Sequence, residues 1–227
     1  MSTIHFVGGE KGGVGKSVFA RTLAQYMIDR GETFAGFDAD NANGTLTRFY
    51  GQFSQSVDLN QFERTDIIIE KACSESLHAV VDLPAQSQAN LSDWIYQNEL
   101  LAFCKDQGIE VIFWFLMDQG KDSGHLASTF LNQFSGELPI VLVKNYGCGR
   151  NFEGVDELLK LYDNCPDIVS MELAELYSST MLKIDHADID FWGAANDATT
   201  SMTMMERQRV KMWLKRCYTA IDISLLE

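Results

Sequence analysis

"VGGEKGGVGKS", residues 7–17, decides the fold. It follows a β-branched and aromatic run, "TIHF" at 3–6, that reads as a strand. After it the apolar positions Phe19, Leu23, Tyr26 and Met27 recur at helical spacing until Gly31. Strand, glycine turn and helix in that order make a phosphate cradle. Glycines at 12, 13 and 15 let backbone N–H groups converge, and the helix adds its positive N-terminal end. In the ordinary pattern, G-x-x-x-x-G-K-[ST], Lys16 reaches the β- and γ-phosphates and the Ser17 hydroxyl ligates Mg²⁺. The stretch departs from that pattern at its first position, which is Glu10, and it carries an additional lysine, Lys11.

Outward from the loop, strand-like and helix-like segments alternate. "TFAGFDAD" (33–40), "LHAVVDLPA" (77–85), "IEVIFWFLMD" (109–118) and "LPIVLVKN" (138–145) read as strands. Helical patterns are expected at 65–75, 90–108, 122–134, 154–164 and 170–182, with a long closing helix at about 202–221. Several strands are continuous apolar runs. The expected fold is therefore α/β: a mostly parallel sheet with helices on both faces, a three-layer Rossmann-like arrangement of the P-loop NTPase kind. Residues 1–227 read as one domain, since the chain holds only three prolines and shows no linker or repeat.

The formal charge of −14 argues against binding nucleic acid or anionic lipid by bulk charge, so any such contact needs a local basic patch. Cys73, Cys104, Cys148, Cys165 and Cys217 are odd in number and form no C-x-x-C, which suits reduced thiols in a cytoplasmic protein rather than a disulfide frame or zinc site. The four histidines have no positioned partner in the sequence and are expected to be satisfied or surface residues. No leader pattern and no membrane-length apolar run is expected.

In a parallel sheet the ligand sits beyond the carboxyl ends of the strands. The expected strands end in the glycine loop, in Asp38 and Asp40, in Asp82, in Asp118 and in Asn145. A phosphate loop, acids and an amide thus converge on one edge. Asp82 after an apolar run suits a Walker B strand, which holds Mg²⁺ through water. Asn145 offers a donor and an acceptor together, which suits an adenine edge; "KNYG" lacks the Asp of the guanine-reading N-K-x-D motif. Asp118, Lys121 and Asp122 take no role from the sequence.

The run K-G-G-V-G-K-S (11–17) resembles the deviant Walker A loop of the ParA/MinD-type ATPases, a SIMIBI class of P-loop NTPases. "FDADNANG" resembles that family's D-x-D segment, with Asn41 where proline usually stands, and "VVDLPA" resembles its switch II. The motifs cover residues 3–146. The resemblance implies a Mg²⁺-dependent ATPase binding ATP and ADP, with Gly12, Gly13, Val14, Gly15, Lys16, Ser17, Val18 and Asn145 at the nucleotide. It implies Ser17, Asp38 and Asp82 at the metal, and Asp40 orienting the attacking water. It also implies that Lys11 crosses a homodimer interface to the neighbour's ATP, stabilising phosphoryl charge as an arginine finger does. Lys11, Lys16 and Asp40 are then the catalytic set of a slow, partner-stimulated switch for partitioning or mobilising DNA, or for positioning a cellular cargo.

The closing helix concentrates Arg207, Arg209, Lys211, Lys215 and Arg216, a candidate contact for non-specific DNA. Acids at Asp222 and Glu227 make a membrane contact of the MinD kind the weaker expectation. Other readings on the same scaffold are an ATP-dependent metabolic enzyme, a metal-cluster carrier, for which Cys148 is the one loop cysteine, and a binding-only sensor.

Overall fold

The computed structural model describes residues 2–226. The chain opens with β1 (Ser2–Gly8), α1 (Lys16–Arg30), β2 (Phe34–Asp38), α2 (Thr45–Tyr50), β3 (Ser54–Ser56), α3 (Phe62–Thr65) and α4 (Ile67–Ser74). It continues through β4 (His78–Asp82), α5 (Gln88–Gln97), α6 (Leu100–Asp106), β5 (Ile109–Met117), α7 (Lys121–Phe134), β6 (Ile140–Asn145) and α8 (Glu153–Lys160). It closes with β7 (Ile168–Leu173), α9 (Ser178–His186), α10 (Phe191–Asn196) and α11 (Met204–Ser224).

The strands form one sheet in the order β3-β2-β4-β1-β5-β6-β7, and every pairing is parallel. Parallel strands need crossovers, and the helices supply them on both faces. One core lies between the sheet and the layer of α4, α5 and α7, with Phe6, Phe113, Phe115, Phe130 and Trp94 at its centre. The other lies beneath α1, α10 and α11, around Phe19, Trp114, Phe191 and Trp213. The central strands β1 and β5 bury nearly every residue, which explains their unbroken apolar runs.

Three features differ from the expectation. Residues 170–182 were expected to be helical; instead Ile168–Leu173 is the edge strand β7, and α9 begins only at Ser178. Ladder pairing with β6 outweighs the helical spacing of Leu173 and Leu176 there. The single helix expected at 90–108 is broken where Glu99 adopts a left-handed backbone, φ 49°, between α5 and α6. The third feature is β3, whose polar Ser-Gln-Ser has no strand signature and is held by its register against Gly36–Asp38 and by the Ser54 hydroxyl donating to the Tyr50 carbonyl oxygen at 2.8 Å. The closing helix runs Met204–Ser224, begun by a capping box in which Thr203 and Glu206 satisfy each other's backbone N–H.

Candidate functional site

Strand register brings the candidate residues together. Asp38 of β2 lies directly beside Asp82 of β4, and Asp82 lies beside Val7 of β1, just before the glycine loop. The loop leaves β1 between neighbours with opposite crossover directions, which is where open parallel sheets place ligands. Gly15 caps α1 in a left-handed conformation, φ 97°, and a Cβ there would stand 2.2 Å from the Asn145 amide nitrogen. Only glycine fits. No side chain caps α1, so its first N–H groups face the cradle unused.

Lys16 is buried, and its Nζ donates to the Lys11 carbonyl oxygen at 2.9 Å, inside the loop. Burial pulls its pKa down, while Asp82, Asp40 and Glu10 pull it back. Asp82 is fully buried, and neither carboxylate oxygen has a hydrogen-bond partner. Burial first, then repulsion from Asp38, pushes its pKa up to about 7, with the nearby Ser17 hydroxyl and Lys16 opposing. An orphaned, buried carboxylate beside a serine hydroxyl and a phosphate cradle fits a hard dication. Among the described residues no cluster of three His, Cys, Asp or Glu makes a closed cage. Mg²⁺ suits such a place, since it binds through one or two carboxylates, phosphates and water.

Asp38 and Asp40 carry bonds of their own. Asp38 accepts from the Thr47 N–H at 3.0 Å and the Thr47 hydroxyl at 2.8 Å, pinning α2 to the end of β2. Asp40 accepts from the N–H groups of Ala42 and Asn43 and from the Asn43 amide at 2.9 Å, closing the turn at 40–43. The sequence brings both acids to this edge, and the structure adds that each also shapes its own turn.

Lys11 behaves differently from Lys16. Its side chain, about one-third exposed, leaves the cradle and donates to Asp118 at 2.7 Å, a bond that raises its pKa. Asp118, at the end of β5, also accepts from the Gly120 N–H and the Ser123 hydroxyl. This pairing spans 107 positions and has no sequence signature. Glu10, the residue that spoils the ordinary loop pattern, accepts from the Gln88 N–H at 2.9 Å and so caps α5 just beyond "DLPA". Lys121 and Asp122 open α7 without an ion pair among the described residues.

Asn145 is buried against the loop: its amide donates to the Val14 carbonyl oxygen at 2.8 Å and accepts from the Gly147 N–H at 2.9 Å. Beside it a cavity of about 350 Å³ opens between the loop and the last third of the chain, lined by Gly15, Val18, Asn145, Cys148, Leu176 and Met181. Leu176 and Met181 carry only a helical pattern in the sequence and no site signal, because only the fold brings them to the loop. A second cavity of about 400 Å³, lined by Ile109, Pro139, Pro166 and Leu225, opens at the opposite edge of the sheet, far from these groups. The histidines take no part: His5 is buried and accepts from the Trp114 indole at 3.1 Å, and burial lowers its pKa to about 3.

The closing helix does not gather its five basic residues into one patch. Arg207 is half-buried and donates to the Met202 carbonyl oxygen. Lys211 and Lys215 flank a depression shared with Asp29 and Asp222. Arg209 and Arg216 lie on the other flank, Arg209 with its guanidinium 5.4 Å from the Tyr177 ring centre. No helix among the described residues is long and apolar enough to cross a membrane.

A seven-stranded parallel sheet whose first strand feeds a Gly-Lys-Ser loop defines a P-loop nucleotide-binding protein. Residues 5–189 match the CobQ/CobB/MinD/ParA nucleotide-binding domain, and the chain belongs to that family. It is 28% identical to Protein TraL of Escherichia coli over 98% of each chain. It is 22% identical to Protein MobD of Acidithiobacillus ferrooxidans over 66% of this chain and 67% of the other. Among solved structures it resembles a putative plasmid partition protein from Borrelia burgdorferi B31 bound to AMPPNP, with a TM-score of 0.51 at 17% identity over 99% of this chain and 98% of that one.

Proposed function

We propose that this protein is a Mg²⁺-dependent ATPase that dimerises around ATP and works as a slow switch in the mobilisation or partition of plasmid DNA. The observation that carries the reading is the division between the two loop lysines. Lys16 is buried at the chain's own cradle, whereas the Lys11 ammonium is part-exposed and held by Asp118 rather than by the loop. A part-exposed cation whose ammonium takes no bond within its own loop is suited to a neighbour's nucleotide.

In this reading the N–H groups at the start of α1 and the Lys16 ammonium receive the β- and γ-phosphates. Ser17 and Asp82 hold the metal, and Asp38 keeps its neighbourhood anionic. Bound Mg²⁺ would offset the charge on the phosphate oxygens. Asp40 orients the attacking water once its turn opens, and Lys11 exchanges Asp118 for the partner's nucleotide. Asn145, Val18 and the cavity beside them receive the base, the Asn145 amide trading its bonds to Val14 and Gly147 for the acceptor and donor of adenine. Likeness to TraL, MobD and a plasmid partition protein supports the plasmid setting. The carrier reading has less support, since among the described residues no group of three His, Cys, Asp or Glu that could hold a metal forms, at Cys148 or elsewhere. A partner protein would stimulate hydrolysis, and the exposed flank of α11 is where the switch would meet a macromolecule.

The test is the Lys11→Ala variant, sized with ADP, with ATP and Mg²⁺, and without nucleotide. It should bind ATP as the parent does yet stay monomeric where the parent dimerises. A variant that dimerises normally with ATP ends the in-trans role.

A further inference from the structure

The outer flank of α11 carries a regular stripe that no part of the nucleotide site uses. Met205, Arg209, Met212, Arg216, Ala220 and Ile223 follow one another at spacings of four, three, four, four and three residues, so they share one side of the helix. Met205 is 55% exposed, Met212 45% and Ile223 52%. The stripe runs roughly 27 Å along the helix axis. Its C-terminal half borders a groove of about 600 Å³ against the edge strand β7, lined by Tyr146, Glu172, Glu175, Tyr177, Arg216 and Ile223 among others; Glu175 is already paired with Arg150. Among the described residues neither Arg209 nor Arg216 has an acidic partner, although the chain as a whole is strongly acidic.

Apolar residues at three-four spacing are what a helix offers to another helix packed along it. The arginines between them select its charge. A second copy of α11 is a poor occupant: parallel pairing sets arginine against arginine, a costly like-charge contact, and antiparallel pairing about the helix centre sets Arg216 against Met212 and Arg209 against Thr219 and Ala220, with no acid for either. DNA would use the two arginines but would leave Met205, Met212 and Ile223 against a phosphate backbone that buries nothing of them. The lysines that could widen a DNA patch lie on the other flank beside Asp29 and Asp222. A lipid surface would need the broad apolar face of α11, and Val210, Trp213, Leu214, Cys217 and Ile221 are buried in the core.

We infer that this stripe is a docking seat for an α-helix of another protein, with acidic residues opposite Arg209 and Arg216 and apolar residues opposite Met205, Met212 and Ile223. The seat exists in the folded chain whether or not ATP is hydrolysed.

The experiment places a photo-crosslinking amino acid at Met212 of the full chain, produced in cells that carry its native neighbouring genes, with Glu157 on α8 as the control position. The expected product is a crosslink to one other protein, mapped by mass spectrometry to a helical segment with acids and apolar residues at three-four spacing. Arg209→Glu with Arg216→Glu should cut that product by about tenfold or more. Changing the mapped acids to lysine should restore it, which separates a broken contact from a misfolded variant. Crosslinks to DNA, to lipid or to a second copy of the chain overturn the inference. So does a yield no higher than at Glu157, or a crosslink indifferent to the charge reversal.

Discussion

Replacing Asp82 by asparagine in the nucleotide-free, metal-free protein tests the electrostatics of the site most directly. Folding carries this carboxyl from its ordinary value of 3.8 to about 7, chiefly because burial penalises its charged form, with repulsion from Asp38 adding to it and the Ser17 hydroxyl opposing. Below the lower value both folded and unfolded chains hold the proton, and the group leaves stability unchanged. Between the two values the unfolded chain ionises while the folded one does not, so stability falls as pH rises. Above about 7 both are ionised and the loss levels off. Each pH unit of that window is worth about 1.4 kcal/mol, so the full cost approaches about 4 kcal/mol as an order of magnitude. Asparagine has the same shape and no titration. Its buried amide adds a constant offset of about 1–3 kcal/mol that does not vary with pH. The diagnostic quantity is therefore the change in the stability difference, not the difference itself. Urea unfolding of both chains with a chelator, from about pH 4.5 to about pH 8.5, should show the variant gaining on the parent by several kcal/mol, with the gain complete near pH 8. A difference that drifts by less than about 1 kcal/mol over that range would refute the view of Asp82 as a carboxylate held unpaired for a cation.

Three further outcomes are expected. Lys16→Ala should weaken ATP and ADP binding by roughly a hundredfold by calorimetry, because a charge-assisted contact to phosphate is lost, and unchanged affinity would remove Lys16 from the site. Asp40→Ala should slow hydrolysis roughly a hundredfold while leaving ATP-dependent dimerisation intact; phosphate release at the parent rate would show that another group positions the water. Trp213→Ala removes a fully buried ring that stacks edge-on to Phe191 and donates to the Ala174 carbonyl oxygen at 2.7 Å. It should cost about 3–5 kcal/mol and lower the melting temperature by roughly 10 °C, and a loss below about 1 kcal/mol would show that α11 is not anchored by this residue.

Much of the site was legible along the chain because its chemistry is local. A phosphate cradle needs glycines within a few residues of a lysine and a serine, and that is what residues 12–17 supply. Asp38, Asp82 and Asn145 could be placed because each ends an apolar run, and in a parallel sheet all strands end on the same edge. Where the local signal was ambiguous, long-range pairing decided. Residues 170–173 had helical spacing but became part of an edge strand, and β3 had no signal beyond its register. The closing helix shows the same limit. Its five cations stand close together in the sequence, yet the 3.6-residue turn and the buried Trp213 face distribute them over separate flanks.

The order of residues by itself determined the parallel α/β fold, the phosphate loop and the acids on its edge, because periodicity and motif spacing act between neighbours in the chain. Only the tertiary structure decided what each group faces. It left Asp82 without a partner, tied Lys11 to Asp118 across 107 positions, and set Glu10 on the start of α5. It also built a cavity beside the loop from residues as distant as Leu176 and Met181, and set Met205, Arg209, Met212 and Arg216 on one exposed side of α11. Burial and contact between remote segments are properties of the packed sheet, and no stretch of sequence carries them alone.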